Sequence, residues 1–567
     1  MNIKSYIMLA AVTMGMAGCS ESFLEVTSKT ESTTDNFYKT EDDAYRALIG
    51  CYDGWQCTVS NSGVKFYILS EMMADECFAG LGTSDASNYD IIDQFDMSCA
   101  PSYTSLLESD WKAYYYAIQR CNSLISREDQ IAWDEASGLR QLYMGEARAI
   151  RAILYFEMVR LWGNIPLLTE PSSENLPQSS YQDVYALIIE DLKYAAQNIP
   201  ATAYPKAEAA QNDGHITCYA AKALLARVYL YYNGYYGSEP AGLTKAEALQ
   251  ACEDVIRSGE FALVPEFKDL WAPAAATTSY AEDGNGYPLA NTDETTYTTY
   301  AGRGNSETIL AQKFNYTQDY NGNYDGNEWL VMLGMRNSLN VVPYGQGWGA
   351  CPVNPTLVNA FRSGDTRKAA SIIDYTGEGI SSADGFDDMI KDSREYTGYA
   401  IKKYTTMSML VDGTAKTTMT GLGNGDFMIS QDMDFVYVRY ADVLLMAAEL
   451  GSGNAQDYFD QVRQRAYTSD GVLSSSYVQL ECTTANIWSE RRLEFCFEAQ
   501  RYWDLLRQGI QTAAQTIAVS NQHVLTSGND DYITIQAENI ISKQGLCQIP
   551  HNQITLSNNV LVQNPGW

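Results

Sequence analysis

The chain is predicted to be mainly α-helical, a scaffold of paired, tetratricopeptide-like helices carrying long irregular loops and a few short strands. Three observations predict this. Apolar residues recur at three- and four-residue steps over long stretches near both ends of the chain. Those stretches come in pairs joined by short turns rich in Gly, Asn and Ser. Between them, from Pro273 to about Gly349, the helical period vanishes and Gly, Asn, Asp, Thr and Tyr dominate. No repeat signature recurs at a fixed period, so the prediction rests on helix pairing.

The elements follow in order. Lys4 precedes an apolar run from Ile7 to Met16, too short to span a bilayer and of the length of a signal-peptide core. Ala17 and Gly18 lead directly into Cys19. Small residues before a Cys resemble the lipobox of bacterial lipoproteins, with Met16 where Leu is usual. That resemblance implies a signal peptide at 1–18, lipidation of Cys19, and a polar tether over 19–36. Several acyl chains at about 0.8 kcal/mol per buried methylene would hold such an anchor.

A helix is predicted from about Ser137 to Trp162, with Ala147, Ile150, Leu154, Met158 and Leu161 on one face and Gly163 and Pro166 ending it. The next is expected to start near Ser179, with Gln182 completing a capping box, and to close at Pro200. A helical hairpin follows. Tyr219, Ala223, Leu224, Val228 and Tyr231 mark its first arm, Asn233-Gly234 breaks it, and Thr244 with Glu247 caps a second arm ending at Ser258-Gly259. A second hairpin joins YVRYADVLLMAAEL to AQDYFDQVRQRA through residues 451–454. A last long helix is predicted from about Ala485 to Gln508, capped by Gly509. On it, Glu498 with Arg501 and Asp504 with Arg507 stand one turn apart, the spacing of structural ion pairs. The expected units are a helical region at 37–272, a loop-rich insertion at 273–427 and a second helical region at 428–567.

Composition bounds the function. Hydrophobic residues make up 46% of 567, enough for a substantial core. Acidic residues outnumber basic ones, 70 to 38, so the field repels polyanions and a neutral ligand suits the chain better than nucleic acid. Of the twelve Cys, none stands in a C-x-x-C spacing; Cys51 with Cys57 and Cys77 with Cys99 are candidate pairs should disulfides form. Cys218, Cys252 and Cys496 fall in apolar helical patterns and read as buried thiols. The 41 Tyr against 16 Phe fit a protein with much half-wet surface.

Catalytic signatures are missing. His215, His523 and His551 stand in no metal-protease context, and neither a nucleophile elbow nor a phosphate loop occurs. The run at 321–326 places Asn321, Asn323 and Asp325 in the order of a calcium loop, but Met332 stands where the bidentate Glu belongs. No cofactor is expected.

Five segments resemble the SusD/RagB family of outer-membrane lipoproteins. They are GEARAIRAILYFEMVRLWGNIPLL, GHITCYAAKALLARVYLYYNG, VRYADVLLMAAEL, SERRLEFCFEAQRYWDLLRQG and the closing QIPHNQITLSNNVLVQNPGW. One departure is Ala499-Gln500 before Arg501, where the family tends to have Glu-Gly. The resemblance implies a non-catalytic surface protein of the outer membrane that binds oligo- or polysaccharide and covers a SusC-like TonB-dependent transporter. A RagB-like peptide binder is the alternative it leaves open.

The family's binding residues sit on variable loops, so candidates come from physics. A pyranose has an apolar C–H face that lies flat on an aromatic ring while polar side chains bond its rim. Trp329 is the first choice, with Tyr300, Tyr320, Tyr324 and Trp348 in the same polar loops and Phe78 and Tyr89 from an early loop. Alanine at Trp329 is then expected to weaken binding at least about tenfold with the fold unchanged.

Overall fold

The computed structural model describes residues 37–59, 65–85, 89–209, 214–276, 299–314, 328–336, 341–411, 414–417, 428, 431 and 433–567. Cys19, Tyr320, Tyr324 and the run at 321–326 lie outside the described residues.

Four helical pairs stack in chain order. Glu41–Gln56 pairs with Glu108–Ile125, Leu139–Trp162 with Tyr181–Asn198, Cys218–Tyr236 with Lys245–Ser258, and Tyr440–Glu449 with Ala455–Ala466. Each pair packs on the next: 108–125 on 139–162, 181–198 on 218–236, and 245–258 on 440–449. The loop-rich insertion interrupts the array between its third and fourth pairs. Local chemistry starts these helices where it should. Thr40 with Asp43 and Thr244 with Glu247 form complete capping boxes, each satisfying backbone N–H groups the helix cannot.

Three expected boundaries move, each for a tertiary reason. The second helix of the second pair is capped by Ser180, whose hydroxyl accepts from the Asp183 N–H, so Ser179 and Gln182 are not its cap. Instead the Ser179 N–H donates to the Ile165 carbonyl. The helix through Asn233-Gly234 does not break there; it runs to Tyr236 and ends at Gly237 in the left-handed conformation. Gly234 is a contact, not a terminator: a Cβ on it would lie 2.3 Å from the Arg507 carbonyl oxygen. The predicted long C-terminal helix is two helices, Thr484–Glu494 and Arg501–Leu506, with Phe497 and Ala499 at positive φ between them. Buried groups of the Phe66–Met72 helix hold that break open. The Tyr67 hydroxyl donates to the Phe497 carbonyl, and the Ala499 N–H donates to Glu71.

The amphipathic stripe predicted on Leu139–Trp162 is wider than one face. Every residue from Ala149 to Trp162 is buried, because helices pack around it on all sides. Its charged members are satisfied in place: Arg151 forks onto Asp191 at 2.8 and 2.9 Å, and Glu157 accepts from the Tyr114 hydroxyl at 2.6 Å.

A buried ionic knot ties the insertion to the frame. Arg439 bonds Glu307, Glu494 and Glu498 at 2.7, 2.6 and 2.8 Å. Arg465 bonds Glu307, Arg367 bonds Asp365, Glu490 and Glu494, Lys403 bonds Glu498, and Arg463 bonds Glu490. Five cations thus meet five carboxylates, so the cluster carries no net charge and each ion keeps a partner away from water. Of the ion pairs expected on the last helix, Asp504 with Arg507 forms at 2.7 Å. Glu498 and Arg501 do not pair: Glu498 is taken by Arg439 and Lys403, and Arg501 by Asp75. Beside the knot, the strand Thr308–Gln312 pairs antiparallel with Phe435–Arg439, which leads into the fourth helical pair.

Among the described residues the sheets are all two-stranded, and the eleven Cys are free thiols, so neither Cys51 with Cys57 nor Cys77 with Cys99 is joined. Cys218, Cys252 and Cys496 are buried, as their helical patterns predict. No helix among the described residues is long and apolar enough to cross a membrane.

Candidate ligand-binding face

Segments far apart in sequence are laced into one loop face by single antiparallel bridges. Cys77 pairs with Val353, Gly82 with Ser393, Tyr344 with Met407, and Tyr396 with Leu525. Isolated bridges hold loops in place without making a sheet.

Arg336 is the clamp at the centre of this face. Its guanidinium bonds Asp392 at 2.9 Å and Asp85 at 3.3 Å, and reaches the Trp348 carbonyl at 3.4 Å. Three loops therefore share one cation. Gly82 makes this possible, because a Cβ there would sit 1.8 Å from an Arg336 nitrogen. Next to the clamp, one nitrogen of Arg394, Nη2, donates to both carboxylate oxygens of Asp90 at 2.6 and 2.8 Å. Burial raises the Asp90 carboxyl despite that cation, and pushes Asp93 and Glu395 behind it well above the usual carboxylate range.

The predicted aromatic platform divides. Trp329 is fully buried in the Glu328–Leu333 helix, its ring 4.7 Å from Tyr67 and 5.0 Å from Tyr404, so it is a core residue and not a stacking surface. A polar flank in sequence suggested exposure; the helix turns the ring inward onto Phe314 and Phe435 as well. Phe78 is likewise buried, at 1% exposure, because its backbone is pinned to Pro352 and the ring faces the core. Trp348 and Tyr89 remain partly open. They share the face through Arg336, which touches the Trp348 carbonyl and Asp85, a charge felt by Tyr89. Burial pushes the Tyr89 hydroxyl up to about 12, so it stays a neutral donor. Tyr300 is half-buried in another neighbourhood, between Thr299 held by Lys268 and Ala301 held by Asp269.

Arg336, Asp85 and Asp392 were missed by sequence reasoning. The twin glycines of AGLG offered a signal for close approach, but nothing named the partner some 250 positions away. Among the described residues no cluster of His, Cys, Asp or Glu is placed to hold a metal ion. The arrangement offers flat rings, a fixed guanidinium and carboxylates at a solvent edge, which suits recognition of hydroxyl groups.

The comparisons with known proteins agree with this architecture. A SusD-like protein from Formosa agariphila, P38, is 25% identical over 523 residues, spanning 89% of this chain and 91% of its own. A SusD-like protein from Bacteroides ovatus is 24% identical over 530 residues, spanning 89% and 82%. Among solved structures, a laminarin binding SusD-like protein superposes with TM-score 0.68 at 24% identity over 94% of this chain and 100% of its own. Surface glycan-binding protein A from Bacteroides thetaiotaomicron, in complex with laminarihexaose, superposes with TM-score 0.70 at 21% identity over 93% and 100%. The descriptions of these neighbours are of binding, not of catalysis. A sequence model described as "Starch-binding associating with outer membrane" matches residues 23–230, and the model of the SusD family matches residues 271–567, more than half the chain; the chain belongs to the SusD family.

Proposed function

We propose that this chain is a cell-surface glycan-binding lipoprotein, anchored in the outer membrane through acylated Cys19. It captures oligo- or polysaccharide and delivers it to a SusC-like TonB-dependent transporter. The observation that carries the reading is the loop face: Trp348 and Tyr89 stand partly open on loops that Arg336 fastens to one another. Rings fixed before binding lose little conformational freedom when a sugar stacks on them, and repeated contacts along a polymer raise modest single-site affinity. The neighbours described with laminarin and laminarihexaose support a neutral glucan as the first ligand class to try.

Gel-retardation electrophoresis against a panel of neutral polysaccharides tests the reading. Retardation by at least one, weakened about tenfold in Trp348→Ala with an unchanged circular dichroism spectrum, is the expected result. Unretarded migration in every gel, together with heat of binding to a peptide library, assigns the peptide-capture role instead. Mass spectrometry of the membrane-extracted protein checks the anchor: an N-terminal peptide beginning at an acylated Cys19 is expected.

A further inference from the structure

On the C-terminal helices lies a second concavity, separate from the loop face. It is a groove of about 480 Å³ beside the Thr484–Glu494 helix. That volume falls within the range of about 300–1,000 Å³ of small-ligand pockets. Its charge runs against the rest of the molecule. The chain carries 70 acidic and 38 basic residues, yet four arginines, Arg362, Arg463, Arg492 and Arg501, line the groove with Glu490 as the sole carboxylate among its lining residues.

The arginines are held in place from behind. Asp75, buried beneath, takes Arg492 at 2.7 Å and Arg501 at 2.7 Å. Asp75 is thus shared between the two guanidiniums, and the buried Glu76 beside it also acts on both. The Arg492 Nε is itself buried and bonded to nothing among the described residues. Arg463 is fixed by Glu490 at 2.7 Å and by the Val478 carbonyl at 3.1 Å. Arg362 is exposed, and no ion pair engages it among the described residues. Trp488 forms an apolar wall, its ring oriented by the indole N–H donating to Glu449 at 2.9 Å, and beside it is exposed Ser489, whose hydroxyl donates to the Ala485 carbonyl at 2.9 Å and is left to accept.

We infer that this groove is a second sugar site, selective for a carboxylated unit, a hexuronate. A guanidinium presents N–H donors in a planar fork that matches the two oxygens of a carboxylate, which is why the planar anion fits better than a sulfate ester. Arg362 and Arg492 take the carboxylate, Ser489 bonds a ring hydroxyl, and the pyranose lies along Trp488. The inference rests on the reading of the chain as a glycan binder, and it adds a site that accepts an acidic residue or side branch which the overall field would otherwise repel.

Isothermal titration of the whole protein at low salt tests it, with D-glucuronate as the probe and D-glucose and acetate as controls. One equivalent of glucuronate is expected to bind at least about tenfold more tightly than either control, and about tenfold more weakly in Arg362→Gln, because a charge-assisted bond is lost. Affinity should fall as salt rises. Arg362 is exposed, so its variant should keep the wild-type melting temperature; Ser489→Ala, at another exposed position, gives an independent loss. Equal binding of acetate would reduce the groove to a site for any anion, and equal binding of glucose would show that charge is not read; either result overturns the inference. If the protein retards in a neutral glycan gel but gives no heat with glucuronate, the second site falls and the glycan-capture reading stands. If glucuronate binds and no neutral glycan does, the second site stands and only the neutral-glucan part of the reading falls.

Discussion

Trp329 and Trp348 carry the same ring into opposite roles. Both come from Gly- and Asn-rich sequence, and neither local pattern tells them apart. Trp329 sits at 0% exposure among Tyr67, Tyr404 and Phe435, while Trp348 keeps part of its surface open. Replacing a buried tryptophan leaves a void that the packed rings around it do not fill. Trp329→Ala is therefore expected to cost about 3–5 kcal/mol of stability, read as a lower urea midpoint, in place of the selective affinity loss expected from the sequence. A variant with wild-type stability and weakened glycan binding would return Trp329 to the platform. Arg336 shows the converse case. It carried no sequence signal, yet it joins three loops because Gly82 leaves room for its guanidinium.

At the scale of elements, the sequence reading succeeded wherever a helix is specified by its own residues. The capping box of Thr244 and Glu247 and the end at Ser258-Gly259 are local, and both are found as expected. It failed where a distant segment decides. Gly234 looked like a helix stop because Asn-Gly usually is one, but it lies inside the Cys218–Tyr236 helix against the Arg507 backbone. This gives a discriminating substitution. If Gly234 were a free helix position, alanine would stabilise by up to about 1 kcal/mol. Because a Cβ there would meet a backbone oxygen at 2.3 Å, Gly234→Ala is expected to destabilise by about 1–3 kcal/mol, measured by chemical denaturation. The divided C-terminal helix has the same origin: a continuous 3.6-residue pattern cannot reveal that Tyr67 and Glu71 bond the backbone at 497 and 499.

At the scale of the whole molecule, burial of carboxylates sets the response to pH. Burial raises Glu76 to about 7, with the neighbouring Asp75 adding to it, and raises Glu157 to about 7 as well. Both are then protonated in the folded protein at pH values where the unfolded chain, with Glu near about 4.3, has lost the proton. A raised folded value means that their contribution is full below the unfolded value and is lost as pH rises through about 7. Asp442 and Glu494 act in the opposite sense. Arg491 and Arg227 hold the first, and Arg465 and Arg439 the second, below the usual range against the cost of burial, so their stabilisation is lost only in strong acid. The melting temperature is expected to fall between pH 5 and pH 8, and Glu76→Gln, which cannot ionise, should flatten that slope. An unchanged slope in the variant would show that Glu76 ionises normally in the fold.

The sequence by itself determined the class of the fold, three of the four helical pairs and several of their caps, because amphipathic period and capping chemistry are written in neighbouring residues. It also determined the family, through segments that keep their order along the chain. Only the tertiary structure decided which aromatics face solvent, that Gly234 is a contact, that ten buried ions close into a neutral knot, and that Arg336 is the clamp of the loop face. Those features depend on which remote segment arrives beside a residue, and a loop's local composition carries no record of its partner.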